Sequence, residues 1–283
     1  MNKQLTLSIF STPARPLDIP LPVEPPAGGW TWPPTSVTLI AGEREAILVD
    51  TVLAVEDSVK LADWIEASGK VLTAIYITHG HLDHFLGAYT LLERFPNARV
   101  IATQATVELV RAELESGHDR AMYSPLFADE IGSIVVVPEA LTDNRIELEG
   151  HEIIAVPTGQ SDISHSSYLH IPELKAVIVG DIAYNDVHPT LIDSDHDKRE
   201  AWIDTLAEIQ ALAPEIVVAA HRREDAPNDA RVLADTISYL EEANRVLAGE
   251  PSAAEFIGHM LAAHPTRQNV TTVIYSAIVL GLV

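Results

Sequence analysis

The feature that most restricts the fold is a dense run of metal-ligating side chains directly after an apolar strand. Eight residues, Val-Leu-Thr-Ala-Ile-Tyr-Ile-Thr, have the β-branched composition of a buried strand, and the run His-Gly-His-Leu-Asp-His follows at once. Residues two apart in an extended segment point the same way, so His79 and His81 can converge on one ion while Asp83 and His84 turn toward another. Imidazole and carboxylate suit zinc, and also iron or manganese. The sequence therefore predicts a metal site where this strand ends.

Strand patterns and helix patterns alternate along the rest of the chain. Short β-branched runs predict strands at residues 37–40, 46–49, 71–78, 99–102, 134–137, 145–148, 152–156, 167–171, 176–179 and 216–219. Apolar residues at helical spacing predict helices at residues 57–67, 84–95, 105–116, 199–211, 229–248 and 252–262. Strand-rich blocks that are each followed by helices favour two packed sheets with helices outside. No low-complexity linker separates the blocks, so we expect residues 36–283 to form a single domain.

The N-terminal segment has a different composition. Eight of the 18 prolines fall within the first 34 residues, which excludes a helix or a central strand there. We expect residues 1–35 to form an extended, Pro-rich arm, with Trp30 and Trp32 available to line a pocket. Residues 119–130 show only weak periodicity, and we interpret them as a cover over a site.

Charge and cysteine content exclude several classes of function. The chain has 18 Lys and Arg against 41 Asp and Glu, a net charge of −23, which disfavours nucleic acid, anionic membranes and anionic substrates. It has no cysteine, so any metal must be held by His, Asp, Glu or similar groups. The start of the chain lacks a signal-peptide pattern, which predicts a cytoplasmic protein. The apolar run at residues 273–283 is too short to cross a bilayer and predicts a helix that closes the core or a homodimer contact.

The run at residues 79–84 resembles the hallmark of the metallo-β-lactamase superfamily, a strand followed by His-x-His-x-Asp-His. The resemblance extends from about Ser36 to about His221. It implies an α/β (α+β) fold, a four-layer αβ/βα sandwich of two mixed β-sheets flanked by helices. It also implies that Asp181, after a strand, bridges two metals, and that His221 is the last histidine ligand. The implied metal ligands are His79, His81, Asp83, His84, Asp181 and His221.

One position departs from the family pattern. Where the family usually has Gly-His-Thr, this chain has Thr-Gly-Gln-Ser-Asp at residues 158–162, with Gln160 in place of histidine. Either Gln160 or His165 is expected to complete the first metal site, or that site binds weakly. The cofactor is then one or two zinc ions, with iron or manganese as alternatives.

The chemistry implied is hydrolysis by a metal-activated hydroxide, because a bound metal lowers the pKa of water to about 7. Asp83 is a candidate proton acceptor, Tyr184 a candidate donor to the substrate carbonyl as in the lactonase branch, and His188 a candidate substrate contact. The expected substrate is a small neutral ester, lactone, thioester or amide. The alternatives are an iron-dependent enzyme of the dioxygenase type, or a degenerate member that binds a ligand without turnover.

Overall fold

The computed structural model describes residues 4–19, 21, 23–127 and 130–282, except for the side chain of Asp119. The strands are β1 (Thr6–Ser11), β2 (Arg15–Leu17), β3 (Trp30–Trp32), β4 (Ser36–Ala41), β5 (Glu45–Val49), β6 (Val71–Ile77), β7 (Arg99–Ala102), β8 (Glu139–Ala140), β9 (Arg145–Leu148), β10 (His151–Pro157), β11 (Ser167–Ile171), β12 (Ala176–Gly180) and β13 (Ile216–Ala219). The helices are α1 (Val55–Ala67), α2 (Leu82–Phe85), α3 (Ala88–Arg94), α4 (Gln104–Ser116), α5 (His118–Phe127), α6 (His196–Ala211), α7 (Arg231–Leu247), α8 (Ala253–Ala263) and α9 (Val270–Val279).

The strands form two mixed sheets and a hairpin. The first sheet has the order β1-β4-β5-β6-β7-β8, with parallel pairing from β5 onward and antiparallel pairing before it. The second has the order β13-β12-β11-β10-β9, in which only β12 and β13 are parallel. β2 and β3 pair separately within the N-terminal arm.

Both faces of each sheet are apolar, because side chains that alternate along a strand enter different cores. In β5, Leu48 packs with the helices of the N-terminal half, whereas Ile47 packs between the sheets. In β12, Ile178 packs between the sheets, and Val177 packs with the C-terminal helices. The fold thus has four layers, in the order helix, sheet, sheet and helix, with an apolar core between each pair of neighbouring layers. This arrangement confirms the predicted four-layer sandwich.

Three local predictions are wrong. Part of the arm predicted as a loop, Thr6–Ser11, is an edge strand paired with β4, because all prolines of the arm follow it in sequence. In the predicted strand at residues 134–137, Val135, Val136 and Val137 pack against the apolar core between the first sheet and its helices, but none of the four residues has a ladder partner. Glu139–Ala140 pairs with β7 instead. The predicted helix at residues 84–95 is divided before α3 at Gly87, where a Cβ would lie 2.7 Å from a backbone oxygen.

Residues 273–279 of the apolar C-terminal run lie in α9, which packs on the helical layer of the second half, and residue 283 lies outside the described residues. Val273 and Ala277 are buried there, whereas Val279 is exposed. No helix in the described part of the chain is both long and apolar enough to span a membrane.

Candidate metal centre

Strands of both sheets end beside a cluster of histidine and aspartate side chains, which is called the centre below. His79 lies two residues beyond β6, and Asp181 directly follows β12. His221 lies two residues beyond β13, and Asp50 directly follows β5. Because β5 and β6 are parallel, as are β12 and β13, their carboxyl ends point the same way within each sheet.

Four side chains form the first group of potential ligands. His79 Nε2 lies 3.1 Å from His81 Nδ1, and the same His81 atom lies 3.0 Å from Asp162 Oδ2. His79 Nε2 is 3.9 Å from Asp162 Oδ2 and 4.0 Å from Asp181 Oδ2. These ligand atoms all lie within 4.8 Å of one another, which is the spacing of groups that can share an ion.

The second group contains Asp83, His84 and His221, whose ligand atoms also lie within 4.8 Å of one another. His221 Nε2 is 3.4 Å from Asp83 Oδ2, and His84 Nε2 is 3.7 Å from the same atom. Asp181 Oδ2 lies 3.1 Å from His221 Nε2 and 3.5 Å from His84 Nε2. Asp181 therefore contacts both groups and joins them.

A buried carboxylate orients two of the histidines. Asp50 accepts hydrogen bonds from the backbone N–H and the hydroxyl of Thr78, each at 2.8 Å, and its Oδ2 lies 3.0 Å from His84 Nδ1. Since the Thr78 hydroxyl donates to Asp50, it accepts from His79 Nδ1 at 2.9 Å. This network leaves Nε2 of His79 and of His84 directed at the centre. Gly180 makes room for it, because a Cβ there would lie 2.7 Å from Thr78 Oγ1.

The N-terminal arm orients a third histidine. His221 Nδ1 lies 2.8 Å from the backbone oxygen of Pro34 and donates to it. The imidazole is thereby fixed with Nε2 toward Asp83 and Asp181.

The electrostatics of the centre favour positive charge. Burial opposes a charge on His81, but the Asp162 carboxylate outweighs it and raises the pKa of His81 to about 9. Burial likewise opposes a charge on His221, yet Asp181 and Asp83 raise its pKa to about 10. Without a metal, protons on these imidazoles balance the buried carboxylates, and a cation would displace them.

Several buried atoms of the centre lack a hydrogen bond. Among the described residues, Asp83 Oδ2, His84 Nε2 and Asp181 Oδ1 are buried and have no hydrogen-bond partner. An unsatisfied buried carboxylate oxygen or imidazole nitrogen is costly, and a divalent cation satisfies both types of atom. The donor set therefore fits a metal.

The structure describes the surroundings of Gln160 and His165, the two residues expected to complete the first site. The side-chain amide of Gln160 donates to the backbone oxygen of Ser161, and His165 is exposed. Asp162, two residues after Gln160, enters the centre instead and is fully buried. Sequence reasoning missed Asp162 and Asp50. A carboxylate directly after an apolar strand, the signal that indicated Asp181, was present for Asp50 as well.

A cavity of about 260 Å³ opens over the centre. His81, Asp83, Asp181 and His221 lie at its base. Its walls come from the arm, α5 and the start of α9, with Leu17, Ile19, Leu21, Trp32, Met122, Tyr123, Leu126, Thr271, Thr272 and Tyr275. Trp32 contacts Tyr123 and Phe127 edge to face, with ring centroids 5.1 and 5.2 Å apart, so α5 and the arm support each other. Of the residues interpreted as a cover, 128 and 129 and the side chain of Asp119 lie outside the described part.

Tyr184 lines the cavity and contacts the side chains of the centre. Its hydroxyl is 3.1 Å from Asp181 Oδ2 and 3.5 Å from Asp162 Oδ2, and its ring stacks on His221 at 5.6 Å between centroids. Burial, together with these carboxylates, raises the pKa of Tyr184 well above its ordinary value. The hydroxyl therefore stays protonated and donates toward these carboxylates.

His188 also lines the cavity, and its imidazole contacts the Tyr239 hydroxyl. Its Nδ1 lies 3.3 Å from Tyr239 Oη, and its Nε2 is buried without a hydrogen-bond partner among the described residues. The Arg267 guanidinium lies 5.1 Å from the Tyr239 ring centroid. Burial, and then the charge of Arg267, lowers the pKa of His188 to about 3. His188 is therefore a neutral imidazole at pH 7.

Comparison with known proteins establishes the family. The model of the metallo-β-lactamase superfamily matches residues 30–221, and the chain belongs to that superfamily. Ribonuclease J of Pyrococcus abyssi is 29% identical over 120 residues, which cover 42% of this chain and 25% of that protein. Hydroxyacylglutathione hydrolase of Synechococcus sp. strain WH7803 is 27% identical over 192 residues, 66% of this chain and 62% of that protein. The matches thus span less than two thirds of these relatives.

Solved structures share the fold. A metallo-β-lactamase from Pontibacter korlensis superposes with a TM-score of 0.59 at 18% identity, covering 84% of this chain and 99% of that one. A metallo-β-lactamase from Pseudomonas aeruginosa in a mono-zinc form gives 0.57 at 14% identity, covering 86% and 96%. At such identities the likeness shows the fold alone.

Proposed function

We propose that the protein is a metal-dependent hydrolase of small, uncharged esters or lactones, with thioesters and amides as related substrates. The observation that carries the proposal is a joined cluster of histidines and aspartates at the base of an apolar cavity. The superfamily match supports the reaction class, as does similarity to a curated hydroxyacylglutathione hydrolase.

The metal would be held by two groups that share Asp181. The first comprises His79, His81 and Asp162, and the second comprises Asp83, His84 and His221. Zinc suits these donors, and so do iron and manganese. When bound, such an ion would supply Lewis acidity and a water-derived nucleophile at neutral pH.

The chain's own residues would handle protons and orientation. Asp83 lines the cavity, its Oδ2 has no hydrogen-bond partner among the described residues, and we assign to this carboxylate the role of accepting a proton as a carbonyl is attacked. The neutral hydroxyl of Tyr184 can turn from Asp181 to donate to the substrate carbonyl. His188, neutral and on the cavity wall, can donate from Nε2 to a second polar atom of the substrate.

The cavity lining indicates an uncharged substrate. None of the described lining residues is Lys or Arg. The base of the cavity carries His81, Asp83 and Asp181, which are three of the proposed ligands. An anionic thioester or a nucleic acid strand would need cationic contacts, which this wall does not offer. The similarity to ribonuclease J is therefore not extended to nucleic acid substrates. The volume favours a small substrate, since ligand pockets commonly measure about 300–1,000 Å³.

The test is a substrate panel assayed with metal-depleted protein before and after zinc is restored. We expect zinc-dependent hydrolysis of uncharged aryl esters and lactones, and weaker hydrolysis of anionic thioesters and RNA. Asp63→Asn, which removes an exposed carboxylate from α1, serves as the matched control and should hydrolyse at the rate of the parent chain. Protein that holds two ions and hydrolyses nothing on the panel would refute the proposal, and oxygen uptake by an iron-loaded sample would favour the dioxygenase alternative.

A further inference from the structure

Arg267 is a buried cation beside the segment that carries Tyr184 and His188. Only 8% of its surface is exposed, and in the described part of the chain all its hydrogen bonds go to backbone oxygens. Its Nη1 donates to Val187 at 2.7 Å and to Tyr184 at 3.2 Å, and its Nη2 donates to Asp235 at 2.8 Å. Burying a cation against neutral acceptors is costly, so these contacts indicate a role beyond packing.

The first role concerns the backbone between Tyr184 and His188. The His188 N–H donates to the Gln268 backbone oxygen at 3.0 Å, and the Gln268 N–H donates to the Asp186 oxygen at 2.8 Å. Together with the Arg267 guanidinium, these bonds tie the segment to the chain just before α9. Tyr184 and His188 both line the cavity, so residues 267 and 268 fix the backbone from which two cavity side chains project.

The second role acts on His188 through Tyr239. The Tyr239 hydroxyl lies 3.3 Å from His188 Nδ1, its one hydrogen-bond partner among the described residues. If the hydroxyl donates, the imidazole proton lies on Nε2; the reverse assignment would leave the phenolic proton buried without an acceptor. Burial raises the pKa of Tyr239, and the charge of Arg267 over the ring acts against that rise, which strengthens the hydroxyl as a donor.

This arrangement leaves one N–H of His188 without an acceptor. Nδ1 is turned toward Tyr239, which does not line the cavity, whereas the His188 ring does. Nε2 is buried and has no hydrogen-bond partner among the described residues. Because a buried donor without an acceptor is costly, an oxygen atom of a ligand in the cavity would stabilise it.

We propose that Arg267 is a positioning residue, which places Tyr184 through the backbone and fixes His188, through Tyr239, as a hydrogen-bond donor to a second oxygen of the substrate. The substrate class thereby narrows to esters or lactones that carry an ether, hydroxyl or carbonyl oxygen besides the group that is hydrolysed. The proposal rests on the proposed function for its substrate, whereas the position of the His188 proton is a property of the protein alone.

NMR spectroscopy of the full-length protein, labelled with ¹⁵N in its histidines, locates that proton. Long-range ¹H–¹⁵N spectra show which ring nitrogen is protonated, and the His188 signals are identified by their absence from His188→Asn. We expect a proton on Nε2 and a hydrogen-bonded Nδ1 in the parent. In Tyr239→Phe the Nδ1 signal should move to that of a nitrogen without a hydrogen bond. A parent His188 protonated on Nδ1 would overturn the proposal.

Kinetics with aryl esters then separate the two roles. The substrates form pairs that differ only in whether an ether oxygen replaces one methylene of the acyl chain, at successive positions. We expect the parent to bind the ether ester better at one position, and Tyr239→Phe to lose about 5- to 10-fold of this preference in KM. Arg267→Met should lower kcat for every ester by about 10- to 100-fold at unchanged metal content, because Tyr184 shifts as well.

The matched control is Arg231→Met, which removes an exposed arginine from α7, the helix whose Asp235 accepts from Arg267. It should keep the parental kcat and the parental preference. An Arg267→Met protein with parental kcat and preference, or an Arg231→Met protein with the same losses, contradicts the proposal, as does a parent without preference at any position. If Arg267→Met does not fold, Tyr239→Phe decides, because it removes a single oxygen atom. A protein that hydrolyses no ester refutes the proposed function, and the spectra still decide the His188 proton.

Discussion

Replacing His188 tests whether a buried, neutral imidazole in the cavity wall makes the stability of the protein depend on pH. Burial and Arg267 lower its pKa to about 3, whereas a histidine in an unfolded chain titrates near 6.5. Below pH 6.5 the unfolded chain therefore binds a proton that the native protein does not. The stability that His188 contributes is fully present above pH 6.5 and is lost as the pH falls. From pH 8 to pH 5.5 the loss is about 1.4 kcal/mol, from one group with that shift.

His188→Asn removes the titration and keeps an oxygen that can accept from the Tyr239 hydroxyl. Urea unfolding of both proteins at pH 8, 7, 6 and 5.5 gives the difference in free energy of unfolding at each pH, all above the isoelectric point of about 4.7. The pH 8 value isolates the packing cost of the substitution. We expect the stability advantage of the parent over the variant to shrink by about 1.4 kcal/mol by pH 5.5. Parallel curves would refute the assignment of a neutral, poorly protonated His188.

Three further substitutions test the centre. Asp181→Ala should lose both metal and activity, since Asp181 contacts both ligand groups, and elemental analysis with an ester assay checks it. Tyr184→Phe should keep the metal content and lower kcat by roughly 10- to 1,000-fold, because only a donor is removed; an unchanged kcat would exclude Tyr184 from the reaction. Asp50→Asn should weaken metal binding by about 10- to 100-fold, because His84 loses the carboxylate that orients it, and a chelator competition measures the change.

The parts of this molecule that sequence predicts well are those fixed by local pattern. The clustered side chains at residues 79–84 are neighbours in sequence, and Asp181 and His221, which join them in the structure, follow apolar strands whose direction determines where their side chains lie. The two-sheet architecture follows from strands that are apolar on both faces. None of this requires knowledge of a loop conformation.

What sequence did not predict depends on loops and tertiary contacts. In residues 158–166 several polar side chains compete for the centre, and backbone hydrogen bonds decide that Asp162 enters while His165 faces solvent. The β-branched run at residues 134–137 has strand propensity, but its neighbours leave it without a ladder partner. Strand propensity predicts poorly wherever tertiary contacts determine which backbone groups can pair in a ladder.

The hydrogen bond from His221 to Pro34 has a consequence for engineering. The same arm supplies Trp32 to the cavity wall, and Ser36 N–H, at the start of β4, donates to the Ala220 backbone oxygen at 2.7 Å. The cavity wall and the backbone oxygen that orients His221, a proposed metal ligand, thus belong to one stretch of backbone. Under the proposed function, replacing the arm to widen the cavity would also remove the acceptor of His221 and weaken metal binding, so the two properties would have to be optimised together.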